Sequence, residues 1–366
     1  MLPQALLQTL TDFQTAGTGA GGASSPYTVA NPKPNEVSFL VNKNYPFTKP
    51  KQPREIVERQ FEKSDQAITA LRRGEIDALD RIFPADVARL KNDPLVSVGQ
   101  YTLPTLHILI PNVDKPYTAN RTFRRALLYA IDRETILNGE ICGGNPDAGC
   151  AVISGPFPRG KNAADALAYA YDDKIAPRPY NPRLGITLIR LAERELSIVA
   201  KKKEEPEPPL PELMIGLPRT ETARVACAAI AQQLGMLGLK VNLKELDPNQ
   251  LRDRPADVDL TYVELALWEP AVDAVRLLGP GGLLPETNSF VALALRRLET
   301  ASNWKDSSEI LKDLHRITFD DNTVIPLWQL TEHYASRTWL TGLDPEMVQL
   351  YQNVERWGVG IRGKDE

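Results

Sequence analysis

The chain has 366 residues, 42% hydrophobic and 25% charged, a globular composition long enough for two or three domains with sizeable cores. Lys and Arg number 43 and Asp and Glu 47, a net charge of −4 that argues against a general nucleic-acid binder. No apolar run approaches the roughly 18 residues of a membrane helix, and Met1-Leu2-Pro3-Gln4 lacks the basic and apolar regions of a signal peptide.

Gly17-Thr18-Gly19-Ala20-Gly21-Gly22 has the composition of a phosphate loop, but no strand precedes it and Pro26 stops any helix, so it reads as a flexible loop. Residues 36–41 and 54–61 alternate as strands do. Ser64 is placed to cap a helix carrying Ala67, Ala70 and Leu71, which Gly74 ends. Residues 76–79 and 96–110 read as strands, with Leu106, Ile108 and Ile110 on one face. Asn120 to Leu137 is helical with a break. Phe123, Ala126, Leu127 and Ala130 form its apolar stripe, Arg124, Arg125 and Arg133 face water, and Asp132 caps a second short helix that ends at Gly139. Asn181-Pro182 opens a helix with Leu184, Leu188, Leu191 and Ala192 at helical spacing, and Lys201 to Pro211 reads as a charged, proline-rich linker.

The clearest unit follows. Leu213 to Leu217 is a strand, Thr220 or Glu221 opens a helix with Ala226, Ile230, Leu234 and Leu237 on one face, and Leu239 to Lys244 alternates as a second strand. This strand–helix–strand pattern predicts a parallel pair with a right-handed crossover. A strand at 258–265, helices at 288–301 (Phe290, Leu293, Ala294, Leu298) and 306–318, and strands at 324–331 and 350–358 complete an α/β lobe with a mostly parallel sheet.

The sequence holds no Gly-x-Ser-x-Gly elbow, His-Glu-x-x-His or Walker loop. His107, His315 and His333 are widely spaced, so a triad or zinc enzyme is hard to assemble, and no cofactor or metal is expected. Cys142 and Cys150 flank a Gly/Asn/Pro-rich loop. Oxidised, they would close a nine-residue ring worth roughly 2.6 kcal/mol by the chain-entropy relation. The alternatives are two ordinary thiols or half of a metal site, the latter without a second Cys pair or nearby His. Cys227, on an apolar helix, reads as a small core residue.

In open α/β sheets ligands sit beyond the carboxyl ends of the strands. Those ends carry Arg219, then Glu245 to Asp247, then Glu264 to Glu269. Trp268 offers a large flat surface with one N–H donor, and Glu269 and Asp273 are placed to anchor a cationic group; Glu264 and Arg219 complete the candidate binding set. The alternative is a core Trp268 beside solvated acids.

The ordered run of features resembles the family 5 extracellular solute-binding proteins, the dipeptide-, oligopeptide- and nickel-binding components of ABC importers. Gly17-Thr18-Gly19, with Pro26-Tyr27 displaced, resembles the GTGPY turn. Ala67 to Asp77 resembles the helix ending in GEID. Phe123 to Leu137 (FRRALLYAIDRETIL) is similar to VRQALNYAIDR. Tyr180-Asn181-Pro182 resembles YDP, Ile325-Pro326-Leu327 resembles IPL, and Thr341-Gly342 resembles the VxG that follows. The resemblance implies an α/β, two-lobed, periplasmic-binding-protein-like clamp of type II in the peptide-binding cluster. The first lobe would be residues 1–112 plus 338–366 and the second 113–337, with hinge crossings near Pro111 to Lys115 and Ser336 to Gly342. It implies a monomeric, non-catalytic, solute-capturing subunit of an ABC importer for peptides or similar small solutes. Its partners would be membrane permease subunits, and its place the periplasm or cell envelope, or the cytoplasm if the chain is complete without a leader. Alternatives are a ligand-sensing module of a regulator and a truncated, non-transporting remnant.

Two departures are visible. The long N-terminal portion usual before the GTGPY turn is missing, so the first lobe is expected to be incomplete. Peptide-binding members also place an acid three residues after the tryptophan to hold the peptide's amino terminus, and that position is Ala271.

Overall fold

The computed structural model describes residues 25–147, 149–160, 165–286 and 288–360. The Gly17–Gly22 run and the Gly17-Thr18-Gly19 turn lie outside the described residues. The strands are, in order, β1 (Tyr27–Lys33), β2 (Glu36–Val41), β3 (Glu55–Arg59), β4 (Ala78–Leu79), β5 (Val96–Gln100), β6 (Thr105–Pro111) and β7 (Ala151–Val152). Then come β8 (Leu213–Pro218), β9 (Val241–Leu246), β10 (Leu260–Ala266), β11 (Ile325–Leu330), β12 (His333–Arg337), β13 (Leu340–Thr341) and β14 (Gly358–Val359). The longer helices are α1 (Ser64–Arg72), α2 (Val87–Lys91), α3 (Arg121–Ala130), α4 (Pro182–Lys203), α5 (Glu221–Met236), α6 (Pro248–Asp253), α7 (Pro270–Leu278), α8 (Ser289–Glu299) and α9 (Trp304–Asp321).

The described chain forms two compact units, dividing after Thr102 and after Thr331. These divisions precede the crossings expected at 111–115 and 336–342. The cause is strand pairing: β6 is hydrogen-bonded along its length to β10 and β11 and so belongs wholly to the second unit. β12 pairs with β4 and β5 and so belongs to the first.

The first unit holds two three-stranded antiparallel sheets, β1-β2-β3 and β4-β12-β5, with α1 and α2. One core cluster gathers Tyr27, Phe39, Tyr101, Tyr334 and Trp357; the other gathers Leu71, Leu90, Val96 and Ala335. Gly99 lies under the Tyr334 ring, where a Cβ would stand 2.1 Å from Cζ. The cap of α1 differs from expectation. Ser64 is its first residue and its hydroxyl donates to Asp86, so Lys63 occupies the N-cap without a side-chain bond. The expected strand at 350–358 is mostly turn, with only Gly358–Val359 paired to β13.

The second unit is built on a six-stranded sheet of order β7-β11-β6-β10-β8-β9. It is mixed, not mostly parallel. β8 pairs parallel with β9 and β10, whereas β6 runs antiparallel to both β10 and β11, and β7 antiparallel to β11. The predicted β8–α5–β9 crossover gives the parallel pair, because a helix must carry the chain back to the starting edge. β6 enters with no crossover helix before it and can run the other way. All seven β6 residues are buried: Leu106, Ile108 and Ile110 face the cluster under α7, α8 and α9, while Leu109 faces the cluster under α3 and α5.

Several polar and apolar assignments change within this unit. Arg124 and Arg133 do not face water; they are 2% and 4% exposed. The Arg124 guanidinium donates to the carbonyls of Thr118, Ala119, Asp321 and Asn322, binding the end of α9 to the turn before α3. Arg133 donates to the carbonyls of Ile153, Pro326 and Arg178. The segment after Asp132 does not stop at Gly139 but continues as a π-helical turn to Ile141. Leu191, Phe290 and Leu293 are exposed; Ala192, Ala294 and Leu298 are buried as expected, joined by Gly185 and Ile189 on α4 and by Val291 and Leu295 on α8. α4 also extends through Lys203, so the linker starts at Glu204, whose φ of 57° ends the helix.

Candidate functional site

The parallel strands of the second unit end together. Pro218 of β8 pairs with Leu246 of β9, and Ala266 of β10 and Leu330 of β11 both pair with Thr105 at the start of β6. The carboxyl ends of four strands therefore line one edge. The chain also enters the unit at Leu103 and leaves it at Thr331 beside this edge.

After β10, Leu267 turns into the core and Trp268 turns out, with 62% of its surface exposed. Pro270 then starts α7, with its ring in the first helical turn where no N–H is needed. Glu269 is the N-cap: its carboxylate accepts from the Ala271 N–H and from the Tyr169 hydroxyl. Asp273 is 9% exposed and accepts from the Trp268 N–H at 2.9 Å and the Glu269 N–H at 3.1 Å. Two carboxylates at a helix N-terminus also suit its dipole. Both acids thus fix the turn that presents Trp268, rather than standing open as cation anchors.

Tyr169 and Trp304, which the sequence did not single out, complete this corner. The Tyr169 hydroxyl accepts from the Ala271 N–H at 3.0 Å and donates to Glu269. Burial, and then the Glu269 hydrogen bond, push its phenol well above the ordinary tyrosine range. Its ring lies 4.0 Å from that of Trp304, which is 59% exposed at the start of α9. The signal available for Trp304 was Asn303, a good N-cap residue that places the next residue at an exposed helix start. Tyr169, on a short 3-10 turn far from the strand ends in sequence, carried none.

Glu264 and Arg219 lie along the same edge but apart from the Trp268 corner. Glu264 accepts from Thr220 at 2.6 Å, and Thr220 in turn caps α5 through the Ala223 N–H. Arg219 stands 3.7 Å from Glu245, which also holds Arg224 at 2.6 Å. The edge therefore combines an exposed aromatic face with carboxylates bound by the protein's own donors, an arrangement suited to apolar and stacking contact.

The remaining candidates lie elsewhere. His107 is fully buried, its Nδ1 2.6 Å from the Tyr262 hydroxyl. His315 is also fully buried: Nδ1 accepts from the Asp172 N–H, leaving Nε2–H to donate to Ser154. Burial lowers its pKa to about 4. Among the described residues no group of three or more His, Cys, Asp or Glu side chains is placed to hold a metal, and no helix is long and apolar enough to cross a membrane. Cys142, Cys150 and Cys227 are free thiols.

Residues 8–276 match the family described as bacterial extracellular solute-binding proteins, family 5 Middle. The chain belongs to this family. It is 22% identical over 334 residues to the probable D,D-dipeptide-binding periplasmic protein DdpA of Escherichia coli, a match covering 87% of this chain and 59% of that protein. The chain thus spans less than two thirds of that relative's length. Its fold matches the oligopeptide-binding protein AppA of Bacillus subtilis, solved with a nonapeptide, at a TM-score of 0.73 and 16% identity, covering 98% of this chain and 72% of AppA. It also matches NikA of Staphylococcus aureus, solved with Ni(L-His)2, at 0.72 and 17% identity, covering 91% and 68%. The fold is therefore the mixed α/β architecture of this solute-binding family.

Proposed function

We propose that this chain is the non-catalytic, solute-capturing subunit of an ABC-type importer, working outside the cytoplasm with membrane permease subunits, and that its solute rests against the carboxyl-end edge of the second unit. The observation that carries this is Trp268, an exposed indole at a strand end, held by a turn that Glu269, Asp273 and Tyr169 fix. A side chain that only filled the core would not be presented in this way. Family membership supports the capture role, and the D,D-dipeptide relative supports short peptides as the first class to try.

The edge also bears on specificity. An acid three residues beyond the tryptophan would hold a peptide's amino terminus, but Ala271 stands there and the adjacent acids accept from Tyr169 and from backbone N–H groups. The reading therefore favours solutes that bring a flat or apolar group to Trp268 over those anchored by an ammonium alone.

Thermal unfolding of the chain with D-alanyl-D-alanine, L-dipeptides, longer peptides and nickel–histidine chelates tests it. A solute of this panel should raise the midpoint, and Trp268→Ala should weaken its binding by about 1–3 kcal/mol with little change in the unliganded midpoint, the scale of losing a buried aromatic contact. Unchanged affinity with a lowered midpoint would make Trp268 a structural residue.

A further inference from the structure

Cys142 follows the π-helical turn Ile136–Ile141 and Cys150 immediately precedes β7. The chain between them doubles back so that the two thiols hydrogen-bond to each other. The reversal is anchored in the backbone. Gly143 and Gly144 take φ of 58° and 83°, a region glycine enters without steric cost. The Asn145 N–H donates to the Cys142 carbonyl at 3.1 Å and the Cys150 N–H to the Asp147 carbonyl at 2.8 Å. The Gln329 amide, from β11, donates to the Gly149 carbonyl at 2.9 Å. The sulfurs thus meet because both ends of the turn are held.

The two thiols are unequal. Cys142 is 3% exposed, whereas Cys150 is half-buried and within reach of solvent. The hydrogen bond from Cys142, with backbone hydrogen bonds from Thr331 and Asp147, holds the Cys150 thiol below the ordinary range. The same pairing, with burial, pushes Cys142 up. Cys227 is the contrast: it lies fully buried in α5, and burial raises its thiol.

We propose that Cys142 and Cys150 are a redox-active pair that takes a disulfide from a thiol–disulfide exchange partner, with Cys150 the attacking and Cys142 the resolving residue. The Cys150 thiolate, its proton lost to water, attacks one sulfur of the oxidant's disulfide. That S–S bond breaks, a mixed disulfide forms, and one half of the oxidant leaves as a thiolate that takes up a proton. Cys142 gives its proton to water and attacks the Cys150 sulfur. The mixed bond breaks and the second half leaves to be protonated in turn. The chain loses two hydrogens and two electrons, and the oxidant gains both as two thiols. The closed bond would tie the end of the π-helical turn to the first residue before β7. Cys150 stands beside Thr331 where β11 ends, on the β7 side of the same sheet edge and away from the Trp268 turn. The test below reads thiol masses and not solute binding, so the two readings fail separately.

The test uses the full chain and glutathione. The protein is equilibrated across oxidised-to-reduced glutathione ratios, its thiols are trapped with N-ethylmaleimide in denaturant, and intact masses and peptide maps are read. The expected result is one transition to a species lacking two hydrogens, with Cys142 linked to Cys150 and Cys227 still alkylated. Cys142→Ser should accumulate a glutathione adduct at Cys150, formed at least about tenfold faster than any adduct at Cys142 in Cys150→Ser, because the buried, protonated thiol is the poorer nucleophile. Should either variant fail to fold, early quenching of the unaltered chain must still trap the mixed disulfide at Cys150. Alkylation of both thiols at the most oxidising ratio, a wild-type adduct that never resolves, or linkage through Cys227 would overturn the proposal.

Discussion

Asp273 and Glu269 show how a charged residue at a strand end can serve the turn before it serves a ligand. Asp273 accepts two backbone N–H groups at the start of α7 and is nearly buried. Asp273→Ala should cost about 1–2 kcal/mol in denaturant unfolding, the scale of a lost helix cap with buried donors left unpaired. Asp273→Asn, which keeps an acceptor oxygen, should recover much of it. His315 makes a prediction in pH. Its folded pKa of about 4 lies below the usual value near 6.5, so the fold favours the neutral ring. That contribution is complete above about pH 6.5 and is lost as pH falls through 4, up to roughly 3 kcal/mol. Unfolding free energies measured from pH 7 to pH 4 should fall along this slope, and His315→Gln should flatten it. An equal slope in the variant would place the acid sensitivity in other groups. The capping role of Asp273 was out of reach of the sequence because it depends on a bend at Trp268 that local pattern does not specify. Likewise nothing in the spacing of the histidines revealed that His315 meets Ser154 and Tyr171, residues far from it in sequence.

At the scale of the element, periodicity told more about helices than about which of their faces is apolar. α3 and its stripe of Phe123, Ala126, Leu127 and Ala130 formed as read. Arg124 was assigned to water because charge is usually solvated, yet its fork of donors satisfies four carbonyls where two helical segments end. Arg124→Met should therefore cost about 3 kcal/mol or more, since it leaves those carbonyls buried without donors. A loss under 1 kcal/mol by urea unfolding would show that they find other partners. Half of the α8 stripe formed as read: Ala294 and Leu298 are buried. Phe290 and Leu293 keep helical spacing but point outward, because Val291 and Leu295 complete the buried stripe against α9. Strands were less legible. The parallel β8–β9 pair followed from its connecting helix, whereas the antiparallel placement of β6 depends on partners more than 100 positions away.

Across the whole molecule the order of short motifs was the most informative signal. Ala67 to Asp77 falls on α1 and the turn after it, Phe123 to Leu137 on α3 and the segment capped by Asp132, and Asn181-Pro182 on the start of α4. Caps and helix-ending glycines constrain the backbone locally, so such motifs are legible without knowledge of tertiary partners. The unit divisions depend on long-range pairing and so shifted. The Trp268 edge was legible because strand ends and a large aromatic are both visible in sequence; Tyr169 and Trp304 joined it only through tertiary packing. Hydrogen exchange, with and without the solute that raises the unfolding midpoint, tests the central claim most directly. The account predicts slowed exchange of the amides of Trp268, Glu269 and Ala271, with Arg219 and Thr220 along the same edge. Unchanged exchange there, with protection on the outer face of α8 around Phe290 and Leu293 instead, would contradict it.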